Sequence, residues 1–312
     1  MKARHIVVLG GTGFIGSHLV PRLHADGHAI TVLSRNRDLH PELRVLPRVR
    51  VVTADVHDPA TLRRRLEGAD AAINLVGILN EPDREGRDFM QVHVALAASL
   101  VAACVDAGVP RLLQMSALRA GEGSSRYLAS RAEAEQVVRR SPLAWTIFRP
   151  SVVFGAGDGL FFRFASLLRL MPVLPLARAD ARFAPVFAGD VAEAFARALV
   201  HPLSIGRTCE LAGPDIVTLA ELVRWTARLC GRRRLVLPLP DALGYLQAWV
   251  GEWLPGKPIT RDNFRSLQLD SVAAEDGLAA LGIIATPMRV VMPSLLGTGA
   301  LKRRIDRSSR RS

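Results

Sequence analysis

The sequence predicts an α/β fold, because short apolar, β-branched runs alternate with helical periods and the first of those runs ends in a cluster of glycines that opens a helix. Composition permits such a fold. The chain has 312 residues, 49% hydrophobic and 5% aromatic, enough for one large or two modest domains with a sizeable core and too apolar for disorder over most of its length.

The first run, Ile6 to Leu9, leads into Gly10-Gly11-Thr12-Gly13-Phe14-Ile15-Gly16, and the amphipathic stretch Ser17 to Ala25 follows. Glycines let a strand turn sharply into a helix without a Cβ clash, and bring main-chain N–H groups to a pyrophosphate where the helix dipole favours negative charge. The strand before and the helix after separate this segment from an ordinary glycine loop. They point to a Rossmann-type doubly wound parallel sheet with a dinucleotide on its first turn.

Further strands are expected at Ile30 to Leu33, Val49 to Thr53, Ala71 to Val76, Leu112 to Met115 and Trp145 to Phe148. Helix starts are legible between them. Asp58-Pro59 places an N-cap before proline at the first helical position, and Asp190-x-x-Glu193 and Thr218-x-x-Glu221 read as capping boxes. The helices they open should run to about Leu66, Leu199 and Leu229.

After Arg149-Pro150 the regular alternation fades. The expected organisation is a dinucleotide-binding domain of residues 1–155, with 183–212 returning to the sheet, and a smaller C-terminal α+β lobe of 156–182 and 213–301. That lobe is expected to shape the substrate side of a cleft at the carboxyl edge of the sheet. Residues 302–312 form a basic tail, expected to be disordered. The apolar stretch Leu278 to Leu301 is broken by Pro287, Pro293 and glycines, so packing within the smaller lobe or an interfacial contact is expected, and a membrane span is not.

The formal net charge of +12 suggests an anionic partner. Arginines concentrate at Arg63-Arg64-Arg65, Arg232-Arg233-Arg234 and in the tail from Lys302 to Arg311, with no interleaved aromatics as a nucleic-acid stacking platform requires. No nucleic acid is therefore expected. Solvated faces and attraction to an anionic membrane surface both fit. Cys104, Cys209 and Cys230 show neither disulfide nor metal spacing, so no metal is expected and each reads as a small buried residue. Lys2 and Arg4 precede an apolar run too short for a secretory signal, which predicts a cytoplasmic protein, with peripheral contact on the inner face of the cell membrane as an extension of that reading.

The second strand ends in Ser34-Arg35, with Asn36-Arg37 next. An acidic residue here would bond the adenosine ribose and select NAD(H). The fork of Arg35, with Arg37 nearby, suits a 2′-phosphate instead, so NADP(H) is preferred over NAD(H); the alternative is an exposed loop arginine.

The Gly-x-x-Gly-x-x-Gly spacing resembles the short-chain dehydrogenase/reductase superfamily, specifically its extended branch. Asn74-Leu75-Val76-Gly77, Met115-Ser116-Ala117-Leu118, Trp145 to Gly155 and Leu254 to Pro258 narrow the resemblance to atypical members related to the NADPH-holding accessory subunit of respiratory complex I and its bacterial homologues. The resemblance implies that Gly10, Thr12, Gly13, Phe14, Ile15 and Gly16 hold the diphosphate, that Asp55 and Val56 border the adenine, and that Leu75, Val76 and Gly77 run past the diphosphate and ribose. It also implies that Pro150, Ser151, Val152 and Val153 lie beside the nicotinamide. In the family's Tyr-x-x-x-Lys pattern the tyrosine exchanges a proton with the substrate oxygen, a serine polarises that oxygen, and the lysine lowers the tyrosine pKa and holds the ribose. Here the matching residues are Tyr127, Ser116 and Arg131, with arginine replacing lysine. Arginine keeps the charge but does not join a proton relay. His93 falls where the family has a structural asparagine, and reads either as a proton carrier or as a satisfied, half-buried side chain. Tyr127 likewise reads as a proton donor or as packing.

Two functions follow. The first is a cofactor-binding accessory or assembly factor of a membrane-associated respiratory or quinone-related system, with subunits of such a complex as partners. The second is an NADPH-dependent reductase or epimerase-like enzyme acting on a hydrophobic carbonyl, with Tyr127 as acid.

Overall fold

The computed structural model describes residues 3–81, 87–254 and 256–297. Lys2, Pro255 and everything from residue 298 on, including the basic tail, lie outside them. The chain divides into two compact units, one of residues 1–150, 189–211 and 274–284, the other of 151–188, 212–273 and 285–312.

The first unit is built on a parallel sheet of seven strands: β1 (His5–Leu9), β2 (Ala29–Ser34), β3 (Val49–Thr53), β4 (Ala71–Asn74), β5 (Arg111–Met115), β6 (Ala144–Pro150) and β7 (Arg207–Leu211). Their spatial order is β7-β6-β5-β4-β1-β2-β3. The order reverses between β1 and β4, where Val8 pairs with both Val32 and Ile73. Such a switch point opens a crevice outside the strands' carboxyl ends.

Helices α1 (Phe14–Ala25), α2 (Pro59–Leu66), α3 (Leu96–Asp106), α4 (Arg126–Arg139) and α5 (Ala188–Val200) cover the sheet. Residues alternate across it, as strand geometry requires. Val7, Leu9, Leu112 and Ile147 pack with Leu62, Leu100 and Val138 of α2, α3 and α4. On the other face Phe148 meets Phe195 of α5 with ring centroids 4.1 Å apart, and Arg22 of α1 is ion-paired with Glu193 of α5. Burial on both faces explains why β1 reads as an unbroken apolar run. Each large side chain so buried contributes about 2–3 kcal/mol.

Asp58 caps α2 as expected, accepting from the Thr61 N–H at 3.1 Å with Pro59 at the first helical position. Asp190 is not the N-cap residue of α5. That helix begins two residues earlier, at Ala188, which leaves Asp190 in its first turn, and the Glu193 carboxylate turns to Arg22 and Arg197. Residues 274–284, expected in the smaller lobe, cluster with the first unit: Glu210 of β7 accepts from the Ala274 N–H at 2.7 Å, and only glycine at 277 fits against the Glu210 backbone.

The second unit mixes short strand pairs with helices. Val173–Ala177 runs parallel to Leu235–Leu239, Val153–Phe154 to Val186–Phe187, and Arg182–Phe183 antiparallel to Val217–Thr218. The helix Leu219–Leu229 opens with the expected capping box, Thr218 and Glu221 bonding each other's backbone N–H. Leu174, Leu176, Val223 and Val236 form one core, and Phe154, Phe161, Leu222 and Met292 another. Met288, Met292 and Leu296 are buried there, so this part of the 278–301 stretch packs within the unit. Among the described residues, no helix is long and apolar enough to cross a membrane.

Candidate functional site

The carboxyl ends of β1 and β4 meet at a glycine where any side chain would be strained and crowded. Gly10 has φ +75°, and a Cβ there would stand 3.1 Å from Leu75 C and Val76 N. The Gly13 N–H bonds Gly10 O at 3.0 Å, closing the turn, and Gly13 becomes the N-cap of α1 with no side chain to occupy the helix end. A Cβ on Gly16 would collide with the Gly11 backbone, so its absence is what seats α1 against the strand. Thr12, Phe14 and Ile15 are partly exposed around this end, Phe14 edge-on to His18. The cradle is one that side chains would fill and that amide N–H groups line, which fits a diphosphate.

At the end of β2, Ser34 Oγ and Asn36 trade hydrogen bonds through the Asn36 N–H and O, shaping the turn. Arg35 is exposed and, among the described residues, makes neither a hydrogen bond nor an ion pair. Arg37 lies 3.6 Å from Asp38, an exposed pair worth little. Beyond β3, one oxygen of Asp55 accepts from the His57 N–H at 2.9 Å, while Val56 packs on the core.

Past β4, Asn74 accepts from the Val76 N–H at 3.1 Å and donates to Gln114 at 3.0 Å, which fixes the backbone of Leu75 and Val76 beside Gly10. Gly77 then admits Arg131, whose guanidinium occupies the space a Cβ there would need. Arg131 is buried. Its Nη1 donates to Val76 O at 3.4 Å and Met115 O at 3.3 Å, and its charge lies 5.4 Å from the Tyr127 ring centroid. Its Nε has no hydrogen-bond partner, and among the described residues it has no ion-pair partner. A buried guanidinium without a counter-ion, beside a diphosphate cradle, is a donor awaiting an acceptor.

Tyr127 is half-buried, its ring 5.8 Å from Phe89 and 5.7 Å from His93. His93 sits on a π-helical turn, Met90–Ala95, that precedes α3. Its Nε2 accepts from the Ile78 N–H at 3.2 Å, so Nδ1 carries the proton toward Ser130 Oγ at 2.8 Å, and Ser130 in turn donates to Tyr127 O at 2.8 Å. Burial, with the Arg131 charge second, drives the His93 pKa from 6.5 down to about 2. Of its two readings, the satisfied side chain is the one this geometry favours, and it is buried outright.

Ser116 departs from the expected role. Its hydroxyl donates to Glu135 Oε1 at 2.6 Å, leaving only lone pairs to offer. While that bond stands, Ser116 has no proton to give a substrate oxygen. Glu135, which sequence reasoning missed, is buried and also accepts from Arg149 at 2.8 and 2.7 Å and from Arg139 at 3.1 Å. Pro150 ends β6 and accepts from the Leu118 N–H at 3.0 Å.

The next three residues belong to the second unit. Ser151 Oγ is 2.6 Å from Ser271 O, Val152 O accepts from the Val186 N–H, and Val153 pairs with Val186. Ser151, buried, and Ser271, half-buried, make a further contact that no sequence pattern announced.

Residues 10–158 match a family model described as NAD(P)H-binding. The mitochondrial NADH dehydrogenase (ubiquinone) 1 alpha subcomplex subunit 9 of Rattus norvegicus is 28% identical over 297 residues, 91% of this chain and 77% of that protein. Ceramide reductase of Caulobacter vibrioides is 34% identical over 242 residues, 76% of this chain and 74% of that one. Among solved structures, UDP-N-acetylglucosamine 4-epimerase from Methanobrevibacter ruminantium superposes with a TM-score of 0.75 at 17% identity, covering 97% of this chain and all of that one, a likeness of fold alone. A dTDP-glucose 4,6-dehydratase from Streptomyces venezuelae with NAD bound gives 0.67 at 26% identity, over 78% of this chain and 86% of that one.

Proposed function

Because the chain belongs to the extended, atypical branch of the short-chain dehydrogenase/reductase family, an NAD(P)-binding group, we propose that it holds NADP(H) largely as a structural ligand and serves as an accessory or assembly factor of a membrane-associated respiratory or quinone-related system. The observation that carries this reading is the pairing of Ser116 with Glu135 beside a buried Arg131. The two groups that would polarise a carbonyl and assist a proton relay are respectively committed and unable to deprotonate. What remains is a binding site: amides of 10–16 for the diphosphate, Arg131 for the adjoining ribose, and Arg35 with Arg37 for a 2′-phosphate, which supports NADP(H) over NAD(H). Asp55 and Val56 border the adenine, Leu75 to Gly77 follow the ribose, and Pro150 to Val153 adjoin the nicotinamide.

A ligand that binds only the native state stabilises it, by about 2.7 kcal/mol at a hundred times its dissociation constant. The relationship to the mitochondrial subunit supports the accessory role, and that role accords with a cytoplasmic protein in peripheral contact with the inner face of the cell membrane.

A second reading has its own support. Similarity to ceramide reductase and the half-buried Tyr127 phenol favour a reductase acting on a hydrophobic carbonyl. A bound nicotinamide would supply the hydride, and Tyr127 the proton at the substrate oxygen. The experiment is to purify the full chain, identify any retained dinucleotide, and follow its oxidation with quinones, enals and ketones. No turnover with tightly retained NADPH supports the first reading; turnover abolished by Tyr127→Phe establishes the second.

A further inference from the structure

The helix Asp241–Gly251 buries its small residues and exposes its large ones. Helical periodicity puts Gly244, Ala248 and Gly251 on one stripe, and that stripe faces inward. A Cβ on Gly244 would stand 3.1 Å from Ala177 Cβ and from the Phe264 ring. Gln247, on the same side, bridges the edge of the strand Val173–Ala177, accepting from the Ala177 N–H at 3.2 Å and donating to Pro175 O at 2.9 Å.

The opposite arc carries Leu243, Leu246, Trp249 and Val250, with Trp253 in the turn beyond, each between 44% and 62% exposed. No charge interrupts it. This reverses the usual amphipathic arrangement, and a contiguous apolar face of this kind marks a docking surface.

The surroundings say what docks. Asp241 is held by Arg178 at 2.9 and 3.0 Å, and Glu252 by Arg261 at 3.1 and 3.2 Å, so the carboxylate at each end of the helix is paired with an arginine. Leu235 and Leu237, on a strand packed against the helix, are exposed, and Arg232-Arg233-Arg234 lead directly into that strand. Indole rings, leucines and flanking arginines suit the boundary between lipid headgroups and acyl chains. At eleven residues the helix is about 16 Å long, half of what a bilayer core requires.

We propose that this face binds the surface of an anionic lipid bilayer, with the helix lying in the membrane plane. The inference stands apart from the reading of the dinucleotide site and is tested without cofactor. The full-length protein is sedimented with vesicles of phosphatidylcholine, alone and with added phosphatidylglycerol, at low and high salt, while tryptophan emission is followed.

The expected result is salt-sensitive binding to the anionic vesicles with a blue shift, and loss of about tenfold or more in partitioning for Leu246→Glu/Trp249→Glu. Both positions are exposed, so the variant should fold, and its circular dichroism melt checks that. Arg233→Glu should weaken binding to anionic vesicles and leave binding to neutral ones unchanged. The proposal is overturned if the wild-type protein ignores anionic vesicles, or if the folded double variant binds them as tightly as wild type. It is also overturned if the double substitution changes only self-association in sedimentation velocity.

Discussion

Ser116 gives its hydroxyl proton to Glu135, with the two oxygens 2.6 Å apart, and the same carboxylate receives the fork of Arg149. One buried acid thus ties the end of β5 to α4 and β6. Glu135→Ala should destabilise the protein by about 2–4 kcal/mol, because it strands buried donors, whereas Ser116→Ala should cost about 1–2 kcal/mol. Urea unfolding measures both. Equal and negligible losses would show that the carboxylate does not organise this corner.

His93 gives the fold an acid sensitivity. Its folded pKa, about 2, lies below the ordinary 6.5, so the unfolded chain takes up the proton first as pH falls. The stabilisation from neutral His93 is therefore complete above about pH 6.5 and is lost progressively below it, with a slope of at most about 1.4 kcal/mol per pH unit. Burial lowers the His28 pKa as well, so that residue acts in the same direction. Wild type should lose urea midpoint steadily from pH 7 to pH 5, and His93→Asn should show a shallower slope whatever its absolute stability. Parallel slopes would contradict the assignment.

Much of this was legible in the sequence, and the reasons differ by element. Gly10 to Gly16 announced itself because a strand, a turn and a helix are all local, and so did Thr218 with Glu221, three residues apart on one turn. Asp190 misled because a cap is defined by where the helix starts, and α5 starts at Ala188. Glu135 was invisible: its partners Ser116 and Arg149 are 19 and 14 residues away, and only the sheet brings them together. The outward face of Asp241–Gly251 escaped for the opposite reason. An apolar helix is ordinarily read as buried by its large residues, and here the glycines and alanine are the buried ones.

Arg35 is exposed and makes no bond to another described residue, which leaves its fork available. Arg35→Ala should weaken NADPH binding by about tenfold and leave NADH binding unchanged, as read by fluorescence titration. An equal effect on both dinucleotides would remove the basis for preferring NADP(H).

Tyr127→Phe keeps the ring contacts with Phe89, His93 and Arg131 and removes only the hydroxyl. If the cofactor is held structurally, the variant should retain NADPH as tightly as wild type and melt within about 1 kcal/mol of it. A slow NADPH oxidation in the wild type that vanishes in the variant would shift the conclusion to the reductase.

Gly13 allows the most direct measurement of all. It is the N-cap of α1, exposed and with φ −80°, so the backbone dihedrals admit aspartate, whose Cβ would stand 3.2 Å from Gly10 O and whose carboxylate would lie where the diphosphate should sit. Calorimetric titration of the full chain with NADPH should give saturable, one-to-one binding, weakened by well over tenfold in Gly13→Asp, with a cooperative melt of the ligand-free variant showing that it is folded. Wild-type protein that fails to bind NADPH, or a Gly13→Asp variant that binds it as well as wild type, would contradict the account.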